Sequence, residues 1–108
     1  MIIYHIKLPK NQDLEAFVTF MREEYFPAVD KGSTRVGQIT DLHLLERENE
    51  FEGDEVSHEF LWQIGWSGQP TGKAHVEDAA VARKLTTFQA DIKRLGSYRQ
   101  VADWQVVK

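Results

Sequence analysis

Cysteine is absent from the 108 residues of the chain. Its absence excludes disulfide bonds, thiolate catalysis and thiolate metal sites. Long apolar runs are also missing, and polar and charged residues already occur within the first ten positions. No segment therefore approaches the length of a signal-peptide core or of a transmembrane helix. Together these absences predict a soluble, cytoplasmic protein that has no membrane partner.

An excess of positive charge is lacking as well, since the net charge is -4. The basic residues are scattered, for example in the neighbouring pairs Arg83 with Lys84 and Lys93 with Arg94. A protein that binds nucleic acid usually concentrates such residues in a patch or stripe. We therefore expect no nucleic-acid partner.

Motifs that hold common cofactors are missing too. The sequence contains no G-x-G-x-x-G, no G-x-x-x-x-G-K-[ST], no G-x-S-x-G and no H-E-x-x-H. We accordingly predict that the protein uses no cofactor.

Hydrophobic residues make up 42% of the chain and aromatic residues 11%, which suits one globular domain over residues 1–108 with a modest core. Residues 2–8 alternate between apolar and polar side chains and predict strand 1, which Pro9 ends. Asn11 is the predicted N-cap of helix 1, and Pro27 ends that helix near Tyr25 or Phe26. Apolar residues at helical spacing line one face of helix 1: Leu14, Phe17, Val18, Met21 and Tyr25.

The middle of the chain predicts a hairpin. Residues 37–46 form strand 2, with Leu42 and Leu44 on one face, and residues 47–57 form a polar loop around Gly53. Residues 58–67 form strand 3, whose apolar face carries Phe60, Trp62, Ile64 and Trp66. A loop rich in glycine and proline follows at residues 67–72.

The last part of the chain predicts helix 2 over residues 77–95, followed by Gly96 as its C-cap. Val81, Leu85, Phe88, Ile92 and Leu95 repeat at spacings of four and three. Residues 101–107 alternate again and predict strand 4, with Trp104 and Val106 on its apolar face.

The order β-α-β-β-α-β predicts an α+β, ferredoxin-like domain with an antiparallel sheet and two helices on one sheet face. In the usual strand order, 4-1-3-2, strand 1 lies beside strand 3. The opposite sheet face then mixes apolar, polar and ionisable residues: Ile3, His5, Lys7, Ile39, Asp41, His43, Glu59, Leu61, Gln63, Gly65, Asp103, Gln105 and Val107. An antiparallel sheet can leave such a face in water or cover it with a partner's sheet.

In its element order, its helix positions and its Trp-rich third strand, the chain resembles the dimeric α/β-barrel superfamily. Members include antibiotic-biosynthesis-type monooxygenases, ethyl-tert-butyl-ether-degradation-type proteins, NIPSNAP-like domains and haem-degrading monooxygenases. The resemblance implies a homodimer in which two four-stranded sheets face each other across a two-fold axis. It also implies a small ligand, held within the barrel or between sheet and helices.

Haem degradation is not expected. Some haem-handling members of that superfamily carry a haem-ligating histidine on or near the second helix, where this chain has His75. They also use an asparagine on strand 1, and strand 1 here contains none. His75 is therefore interpreted as an ordinary loop histidine.

The candidate ligand-binding residues lie on the mixed sheet face: His5, Asp41, His43, Glu59 and Gln63. A hairpin centred near residue 52 would place His43 opposite Leu61 and Asp41 opposite Gln63. A histidine beside a carboxylate can act as a general base near neutral pH, so His5, Asp41 and His43 are the candidates for polar contacts or proton transfer. Two histidines and a carboxylate could also bind a divalent metal. We predict no metal site, and solvated groups or a hydrogen-bonded dimer seam are the simpler alternatives.

An aromatic group on the helix-facing side has two interpretations: Tyr4, Phe60, Trp62, Trp66 and Trp104. It could line a pocket for a flat apolar ligand, but core packing is the ordinary explanation. Functionally, the sequence favours a small-molecule-binding homodimer. Its enzymatic version would be a cofactor-independent oxygenase or isomerase acting on a small organic substrate. The alternative is a non-catalytic dimerisation or interaction module, and the sequence identifies no catalytic residue.

Overall fold

The computed structural model describes residues 1–33, 39–48, 58–67 and 78–106. Its elements, in chain order, are strand β1 (Ile2–Lys7), helix α1 (Leu14–Phe20), a π-helical turn (Met21–Tyr25), helix α2 (Phe26–Ser33), strands β2 (Ile39–Glu46) and β3 (Glu59–Trp66), helix α3 (Ala79–Thr87) and strand β4 (Asp91–Ser97). The acidic loop around Gly53, the loop at residues 68–72 and His75 lie outside the described residues.

The four strands form one antiparallel sheet in the order β2-β3-β1-β4. This confirms the α+β class and the predicted strand order, and the architecture is compatible with a ferredoxin-like fold. Strand β1 lies inside the sheet and pairs with both β3 and β4. The backbone donors and acceptors of β1 therefore face a neighbouring strand on both sides, and β1 is an internal strand of the sheet.

The core lies on one face of the sheet. Its buried apolar residues come from β1 and the residue that follows it, from β3, and from the helical segment of residues 14–33: Ile2, Ile6, Leu8, Phe17, Phe20, Met21, Val29, Phe60, Trp62 and Ile64. The rings of Phe17 and Phe60 pack at a centroid distance of 5.4 Å, which joins helix α1 to the sheet. The predicted alternation of β1 and β3 is confirmed, because Ile6, Phe60 and Ile64 are buried while Lys7 is exposed.

The helical segment of residues 14–33 has a different N-cap and a later end than the sequence predicted. Asp13, and not Asn11, caps it, because its carboxylate accepts a hydrogen bond from the Ala16 N–H at 3.0 Å. The segment also continues past Pro27 to Ser33. Proline lacks an N–H and clashes with the carbonyl four residues before it in a regular α-helix. The wider π turn lies immediately before the proline, where Phe26 donates to the Met21 carbonyl, and it accommodates the ring without ending the helix.

The prediction for the last part of the chain was wrong. Helix α3 ends at Thr87 and does not reach Leu95, because Gln89 adopts a left-handed φ of 54° and turns the chain away. Residues predicted as the end of helix 2 form β4 instead, and Gly96 lies within that strand with a φ of 145°, not at a helix end.

Strand 4 was predicted at residues 101–107, but the described residues 101–106 have no regular secondary structure. Trp104 is 87% exposed and does not belong to the core, contrary to prediction. Asp103 and Gln105 consequently do not lie on the sheet. The apolar spacing led to the wrong element at residues 91–95, because Ile92 fits both a helical stripe and an alternating strand. In β4, Ile92 packs against the core.

Strand β2 contains an irregularity that moves one residue to the other face. Ile39 pairs with Trp66 and Asp41 pairs with Gly65, so Thr40 is the extra residue of a bulge. Ile39 therefore packs against the core and does not lie on the mixed face where the alternation placed it. Leu42 and Leu44 also pack against the core, as predicted.

Among the helices in the described ranges, none is long and apolar enough to cross a membrane.

The end of helix α3 gives a stability prediction. A residue other than glycine pays about 1 kcal/mol or more in the left-handed conformation. We expect Gln89→Gly to raise the free energy of unfolding by about 0.5–1 kcal/mol, because glycine adopts this φ without a Cβ clash. Chemical denaturation followed by circular dichroism measures the change.

The matched variant is Gln89→Val, which should lower the free energy of unfolding because a β-branched residue tolerates positive φ poorly. If Gln89→Gly were the less stable of the two, helix α3 would not end at this residue.

Candidate functional site

The sheet face that the helices leave uncovered is called the open face here. The register places on it alternate residues of all four strands: Ile3, His5, Lys7, Asp41, His43, Leu45, Glu59, Leu61, Gln63, Gly65, Asp91 and Lys93. All five predicted ligand-binding residues therefore share one face, as expected. Leu45 is 46% exposed, and Ile3 and Leu61 are half-buried, so the face mixes apolar with ionisable side chains.

Asp41 and His43 form one ion pair on strand β2. The Nε2 atom of His43 lies 2.9 Å from Oδ2 of Asp41, and the Thr40 hydroxyl donates to Oδ1 at 2.5 Å. The Thr40 hydrogen bond has the largest effect on the pKa of Asp41 and lowers it. Burial opposes this effect, while the hydrogen bond and charge of His43 add to it, and the pKa stays below its usual value. The side chains of His43 and Asp41 are 57% and 50% exposed. Water therefore screens this pair, and it contributes little to stability.

Gly65 explains how Asp41 can lie over the neighbouring strand. A Cβ at this position would fall 2.0 Å from Oδ1 of Asp41 and 2.6 Å from the Thr40 hydroxyl oxygen. Nonbonded carbon and oxygen atoms do not approach each other this closely, so a side chain at residue 65 would displace Asp41 and Thr40. The glycine thus leaves the space in which the Asp41 carboxylate and its donors meet.

Glu59 forms the second ion-paired group, nearer the other end of β1. Its Oε1 atom lies 3.6 Å from Nε2 of His5, and its Oε2 atom accepts from Nη1 of Arg47 at 2.6 Å. Only 26% of the Glu59 side chain and 35% of the His5 side chain are exposed. This group is therefore less screened by water than the Asp41–His43 pair.

A concavity of about 550 Å³ opens beside Glu59. Its lining combines the ion-paired groups with apolar side chains: His5, Leu45, Glu46, Arg47, Glu59, Phe60 and Leu61. Apolar walls with a few convergent polar groups are typical of small-molecule sites, and this volume lies within their usual range. Glu59, His5 and Arg47 are therefore the polar centre of the candidate site.

The structure separates the predicted residues into two groups. His5 meets Glu59 and Asp41 meets His43, but among residues 1–33, 39–48, 58–67 and 78–106 no three His, Asp or Glu side chains are placed to hold a metal ion. The predicted hairpin register was two residues off, since His43 pairs with Gln63 and Asp41 with Gly65. Gln63 consequently lies beside His43 on the open face, opposite both Ile3 and His43.

Sequence reasoning missed Arg47, Leu45 and Thr40. The alternation of Asp41, His43 and Leu45 along β2 continues to Arg47, so extending that pattern by one step would have indicated the arginine. Thr40 gave no such signal, because its contact with Asp41 depends on the bulge.

The aromatic group on the helix-facing side is packed together, apart from Trp104. Tyr4 and Phe26 stack on the Trp62 ring at 5.0 and 5.9 Å, and Tyr25 meets it edge-on at 5.5 Å. Burial, and secondly the nearby Tyr4, raises the pKa of Tyr25. The buried indole N–H groups of Trp62 and Trp66 find no acceptor within the described part of the chain. Core packing thus explains why these aromatic rings are buried together. It does not explain why the indole N–H groups of Trp62 and Trp66 are buried without an acceptor in the described residues.

The Asp41 cluster gives a titration prediction. Thr40→Val removes the hydroxyl that lowers the pKa of Asp41 most, so that pKa should rise towards the ordinary value of about 3.9. His43→Gln should also raise the pKa of Asp41, because it removes the charge of His43. Carbon-detected NMR titration of the Asp41 carboxyl measures both.

The sign of the effect on stability follows from the lowered pKa. Asp41 stabilises the fold above its unfolded pKa and loses this contribution as the pH falls through its folded pKa. Thr40→Val should therefore lose less stability on acidification than the wild type. An unchanged Asp41 pKa in Thr40→Val would show that the hydroxyl does not donate to this carboxylate.

Comparisons with protein-family models, with curated proteins and with solved structures found no match for the chain. The resemblance to the dimeric α/β-barrel superfamily therefore stays a prediction, which rests on element order, helix positions and the Trp-rich third strand.

Proposed function

We propose that the protein is a small-molecule-binding homodimer whose ligand lies on the open face, in the concavity beside Glu59. The observation that carries this proposal is the position of Glu59 between His5 and Arg47, at 3.6 and 2.6 Å, in a concavity with apolar walls. A half-buried carboxylate with a cation on one side and an imidazole on the other is a common arrangement for polar recognition or proton transfer.

The homodimer is supported by the composition of the open face. Leu45 is 46% exposed, and Leu61 lies directly opposite it on β3. A second copy presents the same mixture of leucines and paired charges, so the two faces can meet in a self-complementary, two-fold contact. Such a contact would cover the concavity and remove the ion-paired groups from bulk water, which strengthens their interaction with a bound ligand.

The chemistry of the site follows from its three ionisable groups. A neutral His5 can accept a proton from a bound substrate, and Glu59 stabilises the imidazolium that results. Arg47 supplies a permanent positive charge at the same carboxylate and can orient an anionic or carbonyl oxygen. In an isomerase the proton would return to another substrate atom. In a cofactor-independent oxygenase the deprotonated substrate would react with dioxygen.

A non-catalytic dimerisation module is the second candidate. The observation that favours it is the apolar part of the lining, Leu45 and Leu61, because a partner's side chains could fill the concavity completely. In that case the ion pairs of Glu59 would only stabilise and orient the interface. The two candidates differ in whether small molecules reach Glu59 in the dimer.

An NMR fragment screen distinguishes them. We expect small organic acids and carbonyl compounds to shift the amide signals of Leu45, Glu59 and Leu61 in the wild-type protein. The double variant His5→Gln/Glu59→Gln keeps the side-chain sizes but removes the paired charges, so affinity should fall about tenfold or more. Glu23→Gln is the control, because Glu23 is an exposed acid on the helical segment that contacts only Arg22 among the ion pairs of the described residues.

Unchanged affinity in the double variant would contradict the proposed site. A screen in which no compound shifts these amide signals would favour the dimerisation module.

A further inference from the structure

The charged side chains at the concavity beside Glu59 balance each other. Those in its lining, or in the paired positions next to it on the open face, are three acids and three bases: Glu46, Glu59, Asp91, Lys7, Arg47 and Lys93. Because the two signs are interspersed, the summed field of these groups is small. The site therefore favours neither anions nor cations by its net charge.

Arg47 and Glu59 form a close ion pair at this site, in which Nη1 of the arginine lies 2.6 Å from Oε2 of the glutamate. An anionic ligand would compete with the carboxylate for the guanidinium, and a cationic ligand would compete with the guanidinium for the carboxylate. Either competitor has to weaken a charge-assisted hydrogen bond that the protein already makes. A charged ligand thus gains less here than at a site with an excess of one sign.

An uncharged ligand can bind to this ion pair without breaking it. A guanidinium carries several N–H donors and a carboxylate has several acceptor positions, so each partner can make more than one hydrogen bond. A ligand that accepts from Arg47 and donates to Glu59 gains two bonds to charged groups, which are stronger than bonds between neutral groups. Because the two protein atoms are 2.6 Å apart, the acceptor and the donor of the ligand must be neighbours as well.

Two leucines form the apolar side of the concavity. Leu45 on β2 and Leu61 on β3 are paired across the strands, so their side chains stand next to each other on the open face. Arg47 and Glu59 are opposite each other at the next pair of positions on this face, where the Arg47 N–H donates to the Glu59 carbonyl at 3.0 Å. A ligand that covers both leucines removes apolar surface from water. The site thus selects a small apolar body that carries a neighbouring donor and acceptor on one edge.

We propose that the concavity binds small, uncharged lactams, whose amide N–H donates to Glu59 and whose carbonyl oxygen accepts from Arg47. The inference rests on the proposed function, because it names the ligand class of the same site. An open-chain secondary amide is trans and directs its N–H and C=O to opposite sides, whereas a small ring holds both on one side. The ring atoms of such a lactam lie on Leu45 and Leu61.

NMR titration of the wild-type protein with ring compounds of equal ring size tests the proposal. The probes are δ-valerolactam, cyclohexanone, cyclohexanecarboxylate and cyclohexylammonium, and the amide signals of Leu45, Glu59 and Leu61 report their binding. We expect the dissociation constant of δ-valerolactam to be about tenfold lower than that of each other probe, because only the lactam adds bonds to both charged partners. Cyclohexanone is the matched probe, since it keeps the ring and the carbonyl but lacks the N–H. It is also the more apolar of the two, so burial alone would favour it.

Arg47→Gln should change the preference, because it removes the permanent cation beside Glu59. We expect δ-valerolactam to bind about threefold or more weakly than to the wild type, since it loses a charged donor. Cyclohexylammonium should bind about threefold or more tightly, since it no longer competes with a guanidinium. Arg22→Gln is the matched control, because Arg22 lies on the helical segment and its side chain is 66% exposed, close to the 68% of Arg47. It should leave both dissociation constants unchanged.

If cyclohexanone or a charged probe binds the wild type as tightly as δ-valerolactam does, the ligand class is wrong while the site beside Glu59 stands. The same holds if none of the probes shifts these signals but other compounds of the fragment screen do. If no compound in either experiment shifts them, the proposed site and the ligand class are both wrong. Unchanged affinities in Arg47→Gln would contradict the hydrogen bond to Arg47. The ranking of the probes is measured on the wild type, so it does not depend on how the variant folds.

Discussion

The described structure depends on the burial of one sheet face under the helices, above all under the helical segment of residues 14–33. Phe17, Phe20 and Met21 are buried on that segment, and they meet Ile6 and Phe60 from the two central strands in one core. This packing fixes the direction of every side chain in β1 and β3, because successive residues of a strand point to opposite faces. Once Ile6, Phe60 and Ile64 are buried, His5, Glu59 and Leu61 must face the other way.

The packing of the core thus determines which side chains lie together on the open face. Glu59 meets His5 because their strands are adjacent, and it meets Arg47 because β2 continues along the far edge of β3. The Asp41–His43 pair needs an additional feature, the bulge at Thr40 with Gly65 opposite. A small domain gains little stability from such exposed pairs, which is compatible with the proposed contact with a ligand or a second copy.

Strands 1 to 3 and the shared face of the five candidate residues followed from the sequence, since alternation specifies the faces of a strand that is buried on one side. The hairpin register did not follow, because the polar residues between β2 and β3 do not specify at which residue the chain turns, and the turn sets the pairing of Asp41 and His43. The end of helix α3 was missed since Val81, Leu85, Phe88 and Ile92 keep helical spacing across Gln89, whose left-handed φ ends the helix. The segment at residues 101–106 has the alternation of a strand but no regular secondary structure, because alternation alone does not show whether a neighbouring strand is available for pairing.

Solvent access to the open face is the most direct test of the account, and methyl NMR with a soluble paramagnetic agent measures it. In protein labelled at its leucine and valine methyl groups, Leu45 and Leu61 on the open face are compared with Val81, which is partly exposed on helix α3 and does not lie on the open face. The account predicts that the Leu45 and Leu61 signals are protected at concentrations where the protein is dimeric, and that dilution removes this protection. Full broadening of the Leu45 and Leu61 signals at all concentrations would show that the open face stays in water and would contradict the account.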